Sequence, residues 1–190
     1  MIVQTFVKSL LPKSYSFFDQ TIALTIIYTS LAISLAMVCL VLYWVITKSF
    51  ETVRTIFAML GIMLVFAVCI WLEITGQISA GAWTLVIVTV LLNIANLVGY
   101  GISTSASSGF VLPILLAFFC LVPGTGYAVT ITGCILVFII PILHSKGRIL
   151  TSLQYQTSNI TFDAPTLSLV YILIAVITGS WSNSIKHILP

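Results

Sequence analysis

From Ile74 to Ser145 the chain contains no Asp, Glu, Lys or Arg, and this uncharged stretch limits the possible folds more than any other feature. Over all 190 residues only 6% are charged and 60% are hydrophobic, and the mean hydropathy is +1.23. A soluble domain carries roughly a quarter charged residues. Lipid must therefore be the solvent for most of the surface, which predicts an all-α integral membrane protein.

Six apolar segments predict a polytopic bundle of about six transmembrane helices. They are Ile22–Ile46, Thr55–Leu72, Ala82–Ile102, Gly109–Val122, Tyr127–Leu143 and Pro165–Trp181. The fourth segment, at 1.5 Å per residue, is only about 21 Å long as a helix. A hydrocarbon core is about 30 Å thick. We therefore expect this segment to be a short span kinked at Pro113 or a re-entrant segment buried in protein.

The first 20 residues differ in character from the rest. Apolar side chains recur there at helical spacing, at Val3, Phe6, Val7, Leu10 and Leu11. This pattern predicts an interfacial amphipathic segment over residues 1–20, with a disordered tail as the alternative. Residues 21–190 are predicted to form a single transmembrane helical domain.

Small and amide side chains mark the expected helix contacts. Ala32 and Ala36 are four residues apart, and Gly179 lies in the last span, so these positions would allow close helix packing. Asn93 and Asn96 are three residues apart in the third span, which predicts one shared face. Because amides are costly in lipid, we expect that face to point into the bundle.

Two titratable side chains other than Cys and Tyr stand at span ends, Glu73 and His144. Ionisable groups in a membrane bundle mark functional sites by default. Glu73 could carry a proton or hold a lipid or quinone headgroup, and His144 could ligate a haem or chlorin. For both residues the sequence favours a plain interfacial side chain, so they are weak candidates and the cofactor is unknown.

The sequence proposes no catalytic or metal site. The four cysteines lie in apolar runs without CxxC spacing, which favours a packing role. The sequence has no HExxH, GxSxG or phosphate-loop motif. It also lacks a basic cluster, so nucleic acid is not an expected partner. We therefore expect a protein that is not an enzyme and whose surroundings are the lipid bilayer.

Several stretches in the second part of the chain resemble one known family. They are the Gly/Ser loop at Gly101–Gly109, the segment SGFVLPILLA at Ser108–Ala117, the turn Gly124–Gly126, the polar loop Ser145–Ala164 and the polar end Trp181–Leu189. In order and type these features resemble the multi-span N-terminal input module of bacterial, Chloroflexota-like sensor histidine kinases and diguanylate cyclases. The resemblance implies cytoplasmic termini in the cell inner membrane. It departs from the family because no output domain follows.

These observations lead to three hypotheses about function. The first is a non-catalytic, sensor-like module that binds a hydrophobic ligand and acts through another membrane protein. The second is a structural or accessory subunit of a larger photosynthetic or respiratory complex. The third is the substrate-binding component of a small-molecule uptake transporter, which would require a pocket lined by polar residues.

Overall fold

A computed structural model of the chain describes residues 11–12, 15–47, 53–100, 109–146 and 160–188. Within these residues the chain forms helices and no strands, so the predicted all-α class is confirmed. The helices are α1 (Phe17–Thr47), α2 (Val53–Ile74), α3 (Ile78–Tyr100), α4 (Val111–Cys120), α5 (Pro123–Ser145) and α6 (Ile160–Ile188).

Four of the described helices are long and apolar enough to cross a membrane. Their apolar stretches are Phe17–Tyr43 in α1, Ile78–Val98 in α3, Pro123–Leu143 in α5 and Asp163–Ser182 in α6. The described apolar part of α2, Met59–Ile74, and the whole of α4 are shorter. These lengths are compatible with a multi-pass membrane protein, but they do not by themselves give six crossings.

Helix α1 begins earlier than the sequence predicted, inside the segment of residues 1–20 that was expected to lie in the interface. The Ser16 hydroxyl accepts a hydrogen bond from the Asp19 backbone N–H at 3.1 Å, and the Asp19 carboxylate accepts one from the Ser16 N–H at 3.3 Å. This reciprocal pair is a capping box, which satisfies amide groups that a helix start leaves unbonded. The expected amphipathic helix at residues 3–10 lies outside the described residues.

The turn between α2 and α3 is built around Gly76. The Gly76 N–H donates to the carbonyl oxygen of Glu73 at 3.2 Å, and the Gln77 N–H donates to that of Leu72 at 2.9 Å. These two bonds form a Schellman motif, which requires a left-handed residue after the helix. Gly76 supplies it with φ of 90°. The loop is therefore short, and α3 begins immediately after it.

The chain divides into two compact units, Met1–Leu85 and Val86–Pro190. In the first unit α1 packs against α2. Buried side chains of Leu11, Ala23 and Ile27 form a small core there, against which Ile70 of α2 packs. In the second unit α4 packs against both α5 and α6, and these two helices pack against each other.

Glycines in the second unit let aromatic rings of α4 lie against the backbones of its neighbours. A Cβ atom added to Gly126 would lie 2.5 Å from the Phe118 ring, and one added to Gly133 would lie 3.1 Å from the Phe110 ring. Phe118 thus meets the beginning of α5 and Phe110 meets its middle, so α4 runs antiparallel to α5. On the other side, Phe110 packs against Tyr171 of α6, with ring centroids 6.0 Å apart.

Helix α4 is accordingly a short helix enclosed by protein. Its ten residues span about 15 Å, roughly half of a hydrocarbon core. Six of the ten side chains are buried: Pro113, Ile114, Leu116, Ala117, Phe118 and Cys120. The short fourth segment predicted from sequence is present, and it is shorter than Gly109–Val122. Helix α6 begins at Ile160, and Pro165, the predicted start of the last span, lies inside it.

Candidate functional site

The candidate site is the side chain of Glu73, near the end of α2. The residue is fully buried, and neither carboxyl oxygen has a hydrogen-bond partner among the residues that the structure describes. The sequence favoured a plain carboxylate at the membrane interface, and the structure differs from that expectation because the first turn of α3 covers the side chain. A buried polar group without a partner is uncommon in folded proteins and calls for an explanation.

Gly81 in the first turn of α3 makes room for this carboxyl group. A Cβ atom at position 81 would overlap Oε1 of Glu73 and lie 3.0 Å from its carboxyl carbon. Any larger residue would therefore displace the acid. No sequence pattern connects Gly81 with Glu73, so the role of Gly81 in accommodating the carboxyl group was not predicted.

Tyr15 fixes the end of α2 from the segment before α1. Its hydroxyl donates a hydrogen bond of 3.0 Å to the backbone carbonyl oxygen of Glu73, which also accepts the N–H of Gly76. Burial raises the pKa of the Tyr15 hydroxyl, so it remains a donor. Sequence analysis missed Tyr15 because its partner is 58 residues away.

The charge of the Glu73 carboxyl group depends on two opposing effects, its position beside the start of α3 and its burial. A helix N-terminus stabilises a nearby anion by about 0.3–1 kcal/mol, and by ~2 kcal/mol in favourable partly buried sites. Burying an unpaired ion costs several kcal/mol. No α3 amide bonds to the Glu73 oxygens, so the burial term is the larger one. The packed site therefore favours the neutral carboxylic acid.

A second concave region lies at the other end of the α1–α2 pair. It is a groove of about 200 Å³ whose lining is entirely apolar, formed by Val38, Val41, Leu42, Met59, Leu60 and Met63. It has no polar group to orient a ligand, which a specific small-molecule site normally provides. An acyl chain of the surrounding lipid matches its chemistry, whereas a polar nutrient does not.

The predicted packing residues have different environments. Ala32 and Ala36 are both exposed on α1, so within the described residues they do not pack inside the bundle. Gly179 is buried in α6, and a Cβ atom there would lie 2.5 Å from the Tyr127 hydroxyl and 3.0 Å from the Phe118 ring. Gly179 therefore packs against this chain's own helices, whereas the two alanines face outward.

The prediction that Asn93 and Asn96 share an inward face is half correct. Asn93 is buried, and its side-chain amide donates to the carbonyl oxygen of Thr89 on the same helix at 2.7 Å. Asn96 is exposed. Positions three apart differ by about 60° around a helix axis, so one can lie inside a packed face and the other outside it. The Asn93 amide is satisfied without a second helix.

The remaining candidates do not converge on Glu73. His144 lies in α5, and its side chain is outside the described part of the structure. Among the described residues no three His, Cys, Asp or Glu side chains come together as a metal site would require. The nearest such group to Glu73 along α2 is Cys69, one turn earlier, which is also fully buried.

Comparison with protein-family models, with curated proteins and with solved structures finds no match to this chain.

Proposed function

We propose that this chain is a non-catalytic, multi-pass protein of the cell membrane, a sensor-like module that acts through a partner protein. The observation that carries the proposal is the buried, unpartnered carboxyl group of Glu73. Such a group is expensive to keep in a membrane helix bundle and marks a functional site by default. A structural role alone would be served better by an apolar residue of similar size.

The contacts of Glu73 with two other elements favour a site that can switch between two structural states. Its backbone carbonyl is bonded to Tyr15 and its carboxyl group lies against Gly81. A change in the charge of this carboxyl group, or the binding of a ligand to it, would therefore affect the position of the segment before α1 and of the start of α3. This is the property that a sensor-like module needs, namely a local event coupled to more than one element.

The topology we propose has six crossings and both termini in the cytoplasm, as the resemblance to sensor input modules implies. Helix α4 provides about half of the fourth crossing. Single cysteines introduced at Gln4 and His187, in a Cys-free background, should react with an impermeant reagent from the same side. Labelling from opposite sides would instead show five crossings and a re-entrant α4.

The surface proposed for the partner is the outward face of α1. Ala32 and Ala36 are exposed there, and small residues four apart allow a second helix to approach closely in lipid. The same face also supports the second candidate function, a permanent structural subunit of a larger complex. The uptake-transporter alternative gains no support, because the groove between α1 and α2 has no polar lining.

Site-specific photo-crosslinking in native membranes tests the proposal. A photoreactive residue at exposed Ala36 should form a cross-link to a second polypeptide, whereas one at fully buried Ala82 should react only within the chain. For a sensor-like module the yield at position 36 should change when Glu73 is replaced by Gln. An unchanged yield would favour the structural subunit, and cross-links to lipid alone would contradict both.

A further inference from the structure

We propose that Glu73 is a reversible proton-binding site, held between Tyr15 and Gly81, and that the proton is the signal this chain detects. The identification of the proton as the signal rests on the proposed sensor-like function. Proton binding itself rests on the geometry of the site, in which a fully buried carboxyl group has no hydrogen-bond partner in the described part of the chain. The event is the formation or breaking of one O–H bond on the carboxyl group, with the proton exchanged with water.

The space around the carboxyl group favours a proton over a larger cation. A Cβ atom at position 81 would overlap Oε1 of Glu73, so the space beside the carboxyl group leaves little room for an ion and its ligands. A hard metal cation needs several oxygen ligands, and the Tyr15 hydroxyl already donates to the Glu73 carbonyl oxygen. A proton needs neither space nor additional ligands.

Among the residues that the structure describes, the titratable groups near Glu73 do not offer a counter-charge. Cys69 lies on the same helix one turn earlier, and Tyr15 approaches from the segment before α1, with Asp19 beyond it. The first turn of α3, from Ile78 to Gly81, contributes no titratable side chain. All these groups are neutral or negative, so an ionised Glu73 would have no cationic side chain among them.

Ionisation would consequently open the site. A carboxylate at this position needs water or donors, and both are excluded while Gly81 and Tyr15 stay in contact with the end of α2. Loss of the proton would separate the first turn of α3 from Glu73 and weaken the Tyr15 bond to its carbonyl oxygen. The segment before α1 would be released at the same time, which gives proton loss a defined structural consequence.

The test is labelling of the full-length protein in lipid nanodiscs with dicyclohexylcarbodiimide, an apolar reagent that adds to protonated carboxyl groups in membranes. The chain has only four acidic residues, Asp19, Glu51, Glu73 and Asp163, so peptide mass spectrometry assigns every adduct. We expect the adduct on Glu73 in wild type and its absence in Glu73→Gln, with Asp19→Asn labelled like wild type. Its rate should fall about tenfold per pH unit once most of the acid is ionised.

Because the adduct is mapped in the wild-type chain, the test does not depend on whether the Gln variant folds. A Glu73 adduct that forms at a rate independent of pH would overturn proton binding. Protection by Na⁺ at constant pH would also overturn it, because the site would then take a metal cation. Partner cross-linking from position 36 is measured separately in native membranes, so failure of proton binding and failure of the sensor-like function can be told apart.

Discussion

Both units of the chain place a glycine against a large side chain, but the energetic consequence differs between them. In Val86–Pro190, Gly126, Gly133 and Gly179 each accept an aromatic ring of a neighbouring helix or of α4. In Met1–Leu85, Gly81 accepts the carboxyl group of Glu73. A ring placed against backbone gains packing energy without losing hydration of a polar group. A carboxyl group in the same position loses its hydration and gains no partner.

Polar groups in the second unit show how such groups are normally satisfied. The Ser182 hydroxyl donates to the carbonyl oxygen of Phe118 at 3.0 Å, and the Thr130 hydroxyl donates to that of Gly126 at 2.8 Å. The first bond joins α6 to α4, and the second lies within α5. Buried hydroxyl groups without a partner among the described residues occur in both units, at Tyr28, Ser30 and Ser168. The first unit differs because it also buries a carboxyl group, which costs more than a hydroxyl group and which stability does not require.

The largest effect is expected when the ring contact of the second unit is disturbed. Gly126→Ala would place a Cβ atom 2.5 Å from the Phe118 ring, which is fully buried and cannot swing away. Overpacking of this kind costs about 2–3 kcal/mol, measured as a lower unfolding midpoint in detergent. Gly124→Ala is the matched control, since nothing lies within 4 Å of its Cβ position, and it should be neutral or slightly stabilising.

The pH dependence of the free energy of unfolding should reveal whether the Glu73 carboxyl group in the first unit is neutral in the folded state. An unfolded glutamate loses its proton near pH ~4.3, whereas the packed site retains it. Above that pH the folded state holds one more proton than the unfolded state. The free energy of unfolding therefore decreases progressively as pH rises, by at most about 1.4 kcal/mol per pH unit. Reversible unfolding should show this slope in wild type and Asp19→Asn, but a flatter one in Glu73→Gln. Equal slopes in all three proteins would contradict the neutral site.

Gly81→Ala should be milder than Gly126→Ala, because a carboxyl group at the end of a flexible side chain can move. We expect a loss of about 1 kcal/mol, with Gly61→Ala as the control because its Cβ position is open. In a Glu73→Ala background the Gly81 substitution should cost nothing. A double-mutant cycle measures this coupling; additive effects would mean that the two residues do not compete for one space.

The smallest effect distinguishes the two asparagines. Asn93→Leu removes a hydrogen bond to Thr89 within the helix, and membrane hydrogen bonds average about 0.6 kcal/mol. Asn96→Leu replaces an exposed amide and should leave the unfolding midpoint unchanged or raise it. A larger loss from Asn96→Leu than from Asn93→Leu would contradict the exposures described above.

Much of the fold could be predicted because lipid imposes simple constraints. Long uncharged segments can only be helices there. Helices α1, α3, α5 and α6 overlap the predicted segments, although each begins four or five residues earlier than predicted. The shortness of α4 was visible in the length of Gly109–Val122. The start of α1 was missed although its signal, Ser16 followed by Asp19, is a recognised capping pattern.

The site was predictable only in part, since its meaning depends on contacts between helices. Glu73 stands out in sequence as an acid at a span end, but burial depends on which residue of α3 faces it. Only the structure identifies that residue as Gly81. Asn96 illustrates the same limit, because helical spacing alone leaves a residue at the edge of a face undetermined. Local sequence patterns therefore predict the helices, but they do not predict which side chains of different helices are in contact.

The most direct test of the account is an infrared difference titration of the purified protein in nanodiscs, comparing wild type with Glu73→Gln. The account predicts a carbonyl band from a protonated carboxylic acid in wild type at neutral pH. That band should decline reversibly as pH rises, while carboxylate bands appear, and it should be missing from the Gln variant. A wild-type spectrum at neutral pH that lacks the carbonyl band and shows carboxylate bands missing from the Gln variant would show that Glu73 is ionised in the folded state, and would contradict the central claim.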